Sequence, residues 1–490
     1  MTADRPDGPR WWLPAPAMLV LAIAFWAGLG TLRDFDIWWH LAAGKEIVET
    51  ATIPRLDHWS HTVDGKPWFA HEWLAEIFFY GVWRAAGENG LLVWKALMGL
   101  FTLMALGRLF ALADPRRGLG HVAGLLAATV CVHYHLLERP HMFTNLFLAL
   151  EVLALEEWSR GGRDRLGWLP PLFLLWANLH GGVVIGLAVL AMYGLGIALD
   201  AAAGREGGGA ALRRLARIGA LCLAACLLNP RGLWLLVYPL KYAGHGTLAA
   251  EITEWTSPDF REFRPMEGLL LALAALALFA RFGARPSEAL FVLAGLHLFL
   301  QSKRNIVFVA LFLLPVAVDR LARLSAGWRI SGAFERTARA GGGGPLLAVF
   351  VLALSCHVVF VQQPRISPGY FPDETVEYLR SRAPGEVRML NEFVFGGYFI
   401  WKLQGRHRVF IDSRTDMYFD EDVFAEYLAV FKLAMGWRLV LDKRKIDLCV
   451  FELGHPLATV LATTGQWRQV HRDASAEVWE RFGPAAGGGS

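Results

Sequence analysis

The sequence contains little charge for its length. Only 19% of its 490 residues are Asp, Glu, Lys or Arg, whereas 55% are hydrophobic and the mean hydropathy is +0.36. These values exclude an ordinary soluble enzyme, but a chain lying wholly within a bilayer would carry less charge still. The composition therefore predicts a polytopic membrane protein with a soluble portion.

Cysteine is also scarce, and its positions exclude two common kinds of structural site. Three of the five cysteines, Cys131, Cys222 and Cys226, lie within apolar runs, and no spacing matches a zinc site or a disulfide framework. The net charge is only +4 and the bases are scattered over short loops, so nucleic acid is not an expected partner. The N-terminal apolar run has no small-residue cleavage site, which predicts a retained first helix rather than a signal peptide.

Long apolar runs, by contrast, fill most of the chain. About eleven of them, between Leu13 and Val361, predict about eleven transmembrane helices, several shorter than the ~20 residues that a perpendicular span needs. Arginines such as Arg116 and Arg117 mark alternate loops, and the positive-inside rule places these loops and the N-terminus in the cytoplasm. Nearly every unusual polar cluster then falls in the opposite loops, which predicts one outward-facing site.

The first outward loop opens with RDFDIWWH, where Asp34 and Asp36 precede two tryptophans and His40. A membrane interface accommodates tryptophan readily but disfavours carboxylates, so the pair is expected to bind or catalyse something. An aromatic belt with two solvated acids is the alternative interpretation. The second part of the loop, Trp68 to Arg84, has the pattern of an interfacial helix that would carry His71 and Glu72 near the site, although a plain amphipathic anchor explains the pattern equally well.

Four further outward segments contribute candidate ligands. Arginine forms bidentate contacts with phosphate, and basic residues on the side where positive charge is normally scarce indicate an anionic ligand. A re-entrant turn at NLHGG and an ordinary solvated loop at EITEW are the competing interpretations for two of the segments. The candidates are Arg139 and His141 in ERPH, Asn178 and His180 in NLHGG, Glu254 in EITEW, and Lys303 and Arg304 in QSKRN.

After the last apolar run, helical segments alternate with short β-branched segments, which predicts a soluble α/β domain at 367–482 and a flexible tail at 483–490. The transmembrane domain is then 1–366, with its first outer loop at 33–90. In FIDSRTD, a loop held by an internal ion pair is the preferred interpretation of Asp412, Arg414 and Asp416, over a functional one.

The motifs DFDIWWHLAAGKEI, IPRLDHWSHTVDGKPWFAHEWLAE, ERPHMFTN, NLHGG, LNPRG, ITEWTSPDF and GGYFIW/FIDSRTD resemble bacterial membrane proteins of the GT-C glycosyltransferase superfamily. The resemblance covers nearly the whole chain. It implies a many-helix GT-C-like core and a polyprenyl-phosphate-linked sugar as donor. It also implies that the reaction takes place at the outer face of the bacterial cytoplasmic (inner) membrane. No WWDYG-type motif is present, so transfer to asparagine by an oligosaccharyltransferase mechanism is not supported.

The resemblance also implies roles for the candidates. An acidic residue in the first outer loop serves as base or metal ligand, a position that Asp34 and Asp36 match. Asp36 is the expected base, and Asp34 is its partner or a ligand of a divalent metal (Mg²⁺ or Mn²⁺) whose participation stays open. Arg139 and Arg304 are expected to bind the phosphate, and His40, His141 and His180 are expected to line the substrate site. The acceptor is a glycan, lipid or protein. A ligase joining lipid-linked glycans, a transporter and a non-catalytic protein of envelope glycan assembly remain alternatives.

Overall fold

A computed structural model describes residues 14–204, 208–243, 255–261, 264–279, 285–340, 343–362, 366, 369–383, 387–419 and 421–482. The chain divides into two compact units, each made of two separate stretches of sequence. The first unit comprises Met1–Gly30 and Leu92–Gln363, and the second comprises Thr31–Leu91 and Pro364–Ser490. The predicted first outer loop thus folds together with the C-terminal part of the chain, a grouping that local sequence patterns do not reveal.

The regular secondary structure described in the first unit is helical. A short 3₁₀ turn at Lys303–Ile306 and a π-helical segment at Val309–Leu313 precede the helix that begins at Leu314. The helices are α1 (Ala15–Gly28), the later part of α3 (Trp73–Ala113), α4 (Leu119–Tyr134), α5 (His141–Ser159), α6 (Leu169–Leu179), α7 (Val183–Ala202), α8 (Gly208–Cys226), α9 (Trp234–Ala243), α10 (Arg264–Phe279), α11 (Pro286–Gln301), α12 (Leu314–Leu324), α13 (Arg329–Ala340) and α14 (Gly343–Phe360).

Several of these helices are apolar on all sides, as a lipid environment requires. In α1, for example, Leu21 and Phe25 are buried while Leu19 and Trp26 are exposed. Three stretches of the described chain are long and apolar enough to cross a membrane: Trp73–Ala113, Val183–Ala202 and Lys303–Leu324. Five shorter apolar helices accompany them in the described residues. The helical membrane architecture is therefore confirmed, whereas the number of about eleven spans stays a prediction.

The second unit contains the remaining helices and a four-stranded sheet. The long helix α3 begins here at Trp73 and is interrupted at Gly87, whose φ of 59° and ψ of −153° are not helical. The predicted interfacial helix corresponds to the part of α3 that precedes this break. The elements are α2 (Asp36–Thr50), α15 (Asp373–Ser381), β1 (Met389–Asn391), α16 (Phe395–Leu403), α17 (Asp416–Phe419), α18 (Val423–Phe431), α19 (Trp437–Lys443), β2 (Leu448–Glu452), α20 (Pro456–Thr463), β3 (Trp467–Arg472) and β4 (Ala476–Arg481).

The sheet has the strand order β1-β2-β4-β3. Strand β1 is parallel to β2, with Leu390 opposite Cys449, and the other two pairs are antiparallel. Residues of the first loop, including Val63 and Trp68, lie in the same hydrophobic core as sheet residues such as Leu390 and Cys449. The predicted small α/β domain is present, and the first loop is an integral part of its core.

Two glycines allow close packing within this unit. A Cβ added at Gly44 on α2 would lie 2.0 Å from the carbonyl oxygen of Glu76 on α3, and one added at Gly396 on α16 would lie 2.2 Å from the carbonyl oxygen of Ile411. Real Cβ atoms do not approach backbone that closely, so only glycine fits at these positions. The GG of FGGYFIW is thereby explained by packing.

Candidate functional site

The two aspartates of the first loop have different environments. Asp34 is buried, with 2% of its surface exposed, and its Oδ1 accepts a hydrogen bond of 3.0 Å from the backbone N–H of Asp36. Asp36 is the first residue of α2 and is only half-buried. Because the first N–H groups of a helix have no partner within the helix, Asp34 satisfies one of them and fixes the start of α2. Asp36 is left as the more accessible carboxylate.

One turn further along α2, His40 lies between two carboxylates carried by the start of α3. Its Nε2 is 3.9 Å from Oε2 of Glu72, and its Nδ1 is 3.8 Å from Oε1 of Glu76. All three side chains are buried, and the ring of Trp39 lies against the imidazole at an angle of 34°, with ring centroids 3.6 Å apart. His71 is adjacent, with Nε2 3.9 Å from Oε1 of Glu72. The structure thus brings the predicted His40, His71 and Glu72 together.

Glu76 is part of this cluster, but the sequence analysis did not select it. It is completely buried, and neither of its carboxylate oxygens has a hydrogen-bond partner among the described residues. Its position within WLAEIFFY resembles an ordinary polar residue of an amphipathic helix. Its spacing of four residues from Glu72 would have been the only signal, because such spacing places both carboxylates on one helix face.

The first loop is fixed by a buried ion-pair cluster centred on Arg414. The guanidinium donates to both oxygens of Asp412 at 2.9 and 2.7 Å, and its Nη2 lies 2.8 Å from Oδ1 of Asp57 in the first loop. The rings of Trp59 and Trp68 lie on the guanidinium, with centroids 4.7 and 4.6 Å from its Cζ. The preferred interpretation of Asp412 and Arg414 as a structural ion pair is confirmed, and Asp57 is an additional partner.

The charges in this cluster stabilise one another. Burial alone would raise the pKa of Asp57, but the charge of Arg414 and the hydrogen bonds from Ser60 outweigh burial and lower that pKa. Burial likewise opposes the charge on Arg414, yet the carboxylates of Asp412 and Asp57 raise its pKa well above the usual value. Asp57 and Arg414 therefore remain ionised inside the domain.

In the first unit, the structure brings together basic residues from two distant segments. Arg139 ends the loop before α5, His141 begins α5, and Arg304 lies in the 3₁₀ turn after α11. The turn that carries Arg304 lies beside α4, and the loop with Arg139 follows α4, so the charges of both arginines act on His141. His141 is buried, its Nε2 is 3.1 Å from the carbonyl oxygen of His135, and the two imidazole centroids are 4.4 Å apart. This cluster would attract an anion.

The neighbouring loop contributes to the same place. The backbone N–H of Lys303 donates to the carbonyl oxygen of Thr256 at 3.0 Å, and the guanidinium of Arg304 lies over the ring of Trp255 at 5.9 Å. The segment after the predicted Glu254 thus contacts the segment that carries Lys303 and Arg304. Glu254 itself lies outside the described residues.

Asn178 and His180 form hydrogen bonds that hold the chain between helices. Asn178 Nδ2 donates to the carbonyl oxygens of Leu174 and Leu228, which ties the end of α6 to the segment after α8. His180 Nδ1 accepts the N–H of Gly182 at 3.0 Å and lies 2.7 Å from Thr144 Oγ1. This arrangement makes Nδ1 an acceptor and leaves the proton of the neutral ring on Nε2. The interpretation of NLHGG as a turn accounts for these contacts, and ligand binding by the two residues stays a prediction.

A buried ion pair precedes Arg139. Lys95 Nζ lies 2.5 Å from Oε1 of Glu138, and both side chains are almost fully buried. Lys95 stands inside a long apolar run, where a single lysine gives no pattern from which a partner could be inferred. Because removing one member leaves a buried charge, the pair fixes the loop that carries Arg139.

The aspartates of the first loop are the predicted ligands of a divalent metal. Among the described residues, no group of three or more His, Cys, Asp or Glu side chains could hold a metal ion by itself. Asp34 and Asp36 supply two hard carboxylates, and Mg²⁺ is commonly held by one or two carboxylates together with substrate phosphates. The pair fits a Mg²⁺ or Mn²⁺ ion of that kind, although Oδ1 of Asp34 already accepts a hydrogen bond.

No protein-family model matches this sequence, and no curated protein matches it. Solved structures do. The oligosaccharyltransferase of Archaeoglobus fulgidus, tethered with an acceptor peptide containing the NVT sequon, matches with a TM-score of 0.59 and 10% identity, over 89% of this chain and 69% of that one. The same enzyme in complex with Zn and sulfate matches with a TM-score of 0.50 and 12% identity, over 88% and 68%. ArnT from Cupriavidus metallidurans bound to undecaprenyl phosphate matches with a TM-score of 0.50 and 15% identity, over 96% and 97%.

Both proteins are GT-C glycosyltransferases. The predicted fold is therefore confirmed: the chain has the GT-C fold over nearly its whole length, with a small sheet domain. At these identities the likeness establishes the fold, and the activity has to be argued from the residues.

Proposed function

We propose that this chain is a membrane glycosyltransferase that moves a sugar from a polyprenyl-phosphate-linked donor to an acceptor on a glycan, lipid or protein. The GT-C fold and the undecaprenyl phosphate bound by a structural neighbour support this proposal. The observation that carries it is that the turn with Arg304 lies beside α4, whose end leads into the loop with Arg139 and the buried His141, so that two arginines from distant segments act on one imidazole. Such an arrangement suits a phosphate group.

In this proposal Arg139 and Arg304 hold the donor phosphate, and Lys303 adds positive charge beside them. The bond from the sugar to the phosphate breaks during transfer, so negative charge builds up on the departing phosphate. Positive groups already fixed in place stabilise that charge without reorganising. His141 and His180 line the same region of the first unit, where His180 Nε2–H is a hydrogen-bond donor.

Asp36 is the proposed base. It removes the proton of the acceptor hydroxyl as the oxygen attacks the anomeric carbon, while the lipid phosphate leaves with the bonding electron pair. Asp34 orients Asp36 by capping the start of α2, and His40, with His71 and Glu72, supports the same segment. A Mg²⁺ or Mn²⁺ ion held by Asp34 and Asp36 would neutralise phosphate charge when bound.

The proposal includes a location. The apolar runs predict about eleven spans. The arginine pattern predicts a cytoplasmic N-terminus and an extracytoplasmic C-terminal domain, and the family resemblance implies the bacterial inner membrane. The three candidate spans and five shorter apolar helices of the described residues support a multi-pass protein. The first loop belongs to the same unit as the C-terminal domain and would be on the same side of the membrane.

The decisive experiment compares Asp36→Asn with Asp34→Asn. Transfer from radiolabelled polyprenyl-phosphate sugar is measured in membranes that contain equal amounts of folded protein. A general base contributes roughly 10²–10⁴-fold to rate, so Asp36→Asn should reduce transfer by about that factor. Asparagine at position 34 keeps an oxygen that caps α2, so this variant should lose less activity. Undiminished transfer by folded Asp36→Asn protein would refute the assignment of the base.

The phosphate ligands are tested separately. Arg139→Ala and Arg304→Ala should weaken donor binding and raise the KM for the donor, because each removes a charge-assisted contact. Arg323→Ala is the matched control, since Arg323 is largely exposed and pairs with Asp319. If the control raises the KM as much as the two variants do, the effect reflects net charge and the phosphate assignment is wrong. A parallel assay that uses a whole lipid-linked glycan as the donor distinguishes a ligase, which would transfer the glycan, from a transferase of single sugars.

A further inference from the structure

The surface between α18 and α19 combines exposed apolar side chains with bases. Met435 is 102% exposed and Leu439 is 71% exposed, although both are large hydrophobic residues. Between residues 432 and 445 the sequence has five bases and one acid. We call Lys432, Met435, Trp437, Arg438 and Leu439 the apical patch.

The apical patch is built by a defined turn. The N–H groups of Leu433 and Ala434 donate to the carbonyl oxygens of Val430 and Ala429, at 3.1 and 2.9 Å. Leu433 has a φ of 52°, in the left-handed region that a bulky residue avoids, and Gly436 follows with a φ of 87°. Leucine rarely adopts this conformation, because its side chain crowds the backbone there. The fold therefore maintains the turn against its local preference.

The inner side of the turn is anchored. Leu433, Trp437 and Val440 pack against the hydrophobic core of the domain. This leaves Met435 and Leu439 on the outer side, with Arg438 between them in sequence and its guanidinium 5.2 Å from the ring of Trp437. The anchored turn therefore presents the side chains of Met435 and Leu439 outward, and these side chains cannot turn inward without disrupting the core.

We propose that the apical patch inserts into the headgroup region of an anionic lipid bilayer. Exposed apolar side chains flanked by bases are a combination found at membrane interfaces, where Lys and Arg pair with anionic lipid. Lys443 and Arg444 pair with Glu426, but Lys432 and Arg438 flank Met435 and Leu439. Charge complementarity between these flanking bases and an anionic surface selects this occupant. The chain itself contains membrane-spanning candidates, so a bilayer is always available to it.

The test uses the full-length protein in lipid nanodiscs and a fluorophore at a single cysteine. Of the native cysteines only Cys356 is exposed, so Cys356→Ala provides a background in which the buried four resist labelling. Met435→Cys carries a nitrobenzoxadiazole label, and lipids with a doxyl group near the headgroup serve as quenchers. Thr463→Cys, exposed at the end of α20 in the same domain, is the matched control.

In nanodiscs that contain phosphatidylglycerol, the label at position 435 should lose most of its fluorescence to the lipid quencher, while the label at 463 should lose little. Arg438→Glu in the Met435→Cys background should abolish most of the quenching. Quenching at 435 no greater than at 463 would overturn the proposal, as would equal quenching in purely zwitterionic nanodiscs. A label that is quenched only by aqueous iodide would likewise overturn it and leave a protein partner as the occupant. The experiment needs no sugar donor, so its outcome is independent of the proposed transferase activity.

Discussion

Replacing Arg414 by methionine should destabilise the second unit strongly. The side chain is 3% exposed, and its loss would leave the carboxylates of Asp57 and Asp412 buried without their common partner. Breaking a buried ion pair from one side costs about 3–5 kcal/mol. A change of that size lowers the melting temperature of a domain of this length by roughly 10 °C.

The assay is thermal unfolding of the purified protein in detergent, followed by tryptophan fluorescence. This probe is well placed because the rings of Trp59 and Trp68 lie on the guanidinium. The triple variant with Arg414→Met, Asp57→Asn and Asp412→Asn removes all three charges together. It should recover much of the lost stability, since replacing a whole buried cluster is far less damaging than breaking it.

The pH dependence provides a second readout. The pKa of Asp57 is lower in the folded protein than its ordinary value of 3.8, so its stabilising contribution is present above that value and is lost as the pH falls through the folded pKa. The native protein should therefore lose stability below about pH 4, and the triple variant should lose less. A single variant as stable as the native protein, or a triple variant no more stable than the single one, would show that the cluster does not hold the first loop.

Three further outcomes are expected. Glu392→Gln should make the C-terminal domain more stable above pH 7. Burial and then the charge of a neighbouring glutamate raise the pKa of Glu392 to about 7, so the stability that the protonated group contributes below pH 4.5 is lost as the pH rises through 7. Unfolding midpoints at pH 5 and pH 8 measure this difference. Gly44→Ala should cost about 1–3 kcal/mol, because the new methyl group would meet the backbone of Glu76, whereas Gly81→Ala has open space and should be neutral in the same melting assay. Lys95→Met should reduce the yield of folded protein in detergent by size-exclusion chromatography, because the buried carboxylate beside it loses its counter-charge, and an unchanged yield would contradict a structural role for the pair.

The sequence was sufficient to predict the membrane architecture, the α/β character of the C-terminal part and the resemblance to GT-C enzymes. It also selected Arg139, His141 and Arg304, because bases and imidazoles stand out in loops between apolar helices. It did not select Glu76 or Lys95, whose partners are defined only by helix packing.

The second partner of Arg414, Asp57, was missed for the same reason. The ion pair with Asp412 is local, two residues away, and could be inferred from FIDSRTD. The contact with Asp57 joins the first loop to the last domain, and a single sequence contains no signal for such a distant pairing. Asn178 and His180 were selected as ligands; their described hydrogen bonds join helix ends, and ligand binding by them stays a prediction.

The division of the second unit between the two ends of the chain has a consequence for biosynthesis. Its first stretch ends at Leu91 and its second begins at Pro364, so Asp57 is synthesised long before Arg414 exists. At translation rates of about 5–20 residues per second, the emerging loop waits on the order of tens of seconds for its counterpart. Throughout that interval Asp57, Trp59 and Trp68 lack the guanidinium of Arg414 that they enclose in the folded protein. A ribosome that stops early releases a polypeptide whose segment 31–91 lacks the C-terminal residues it folds against.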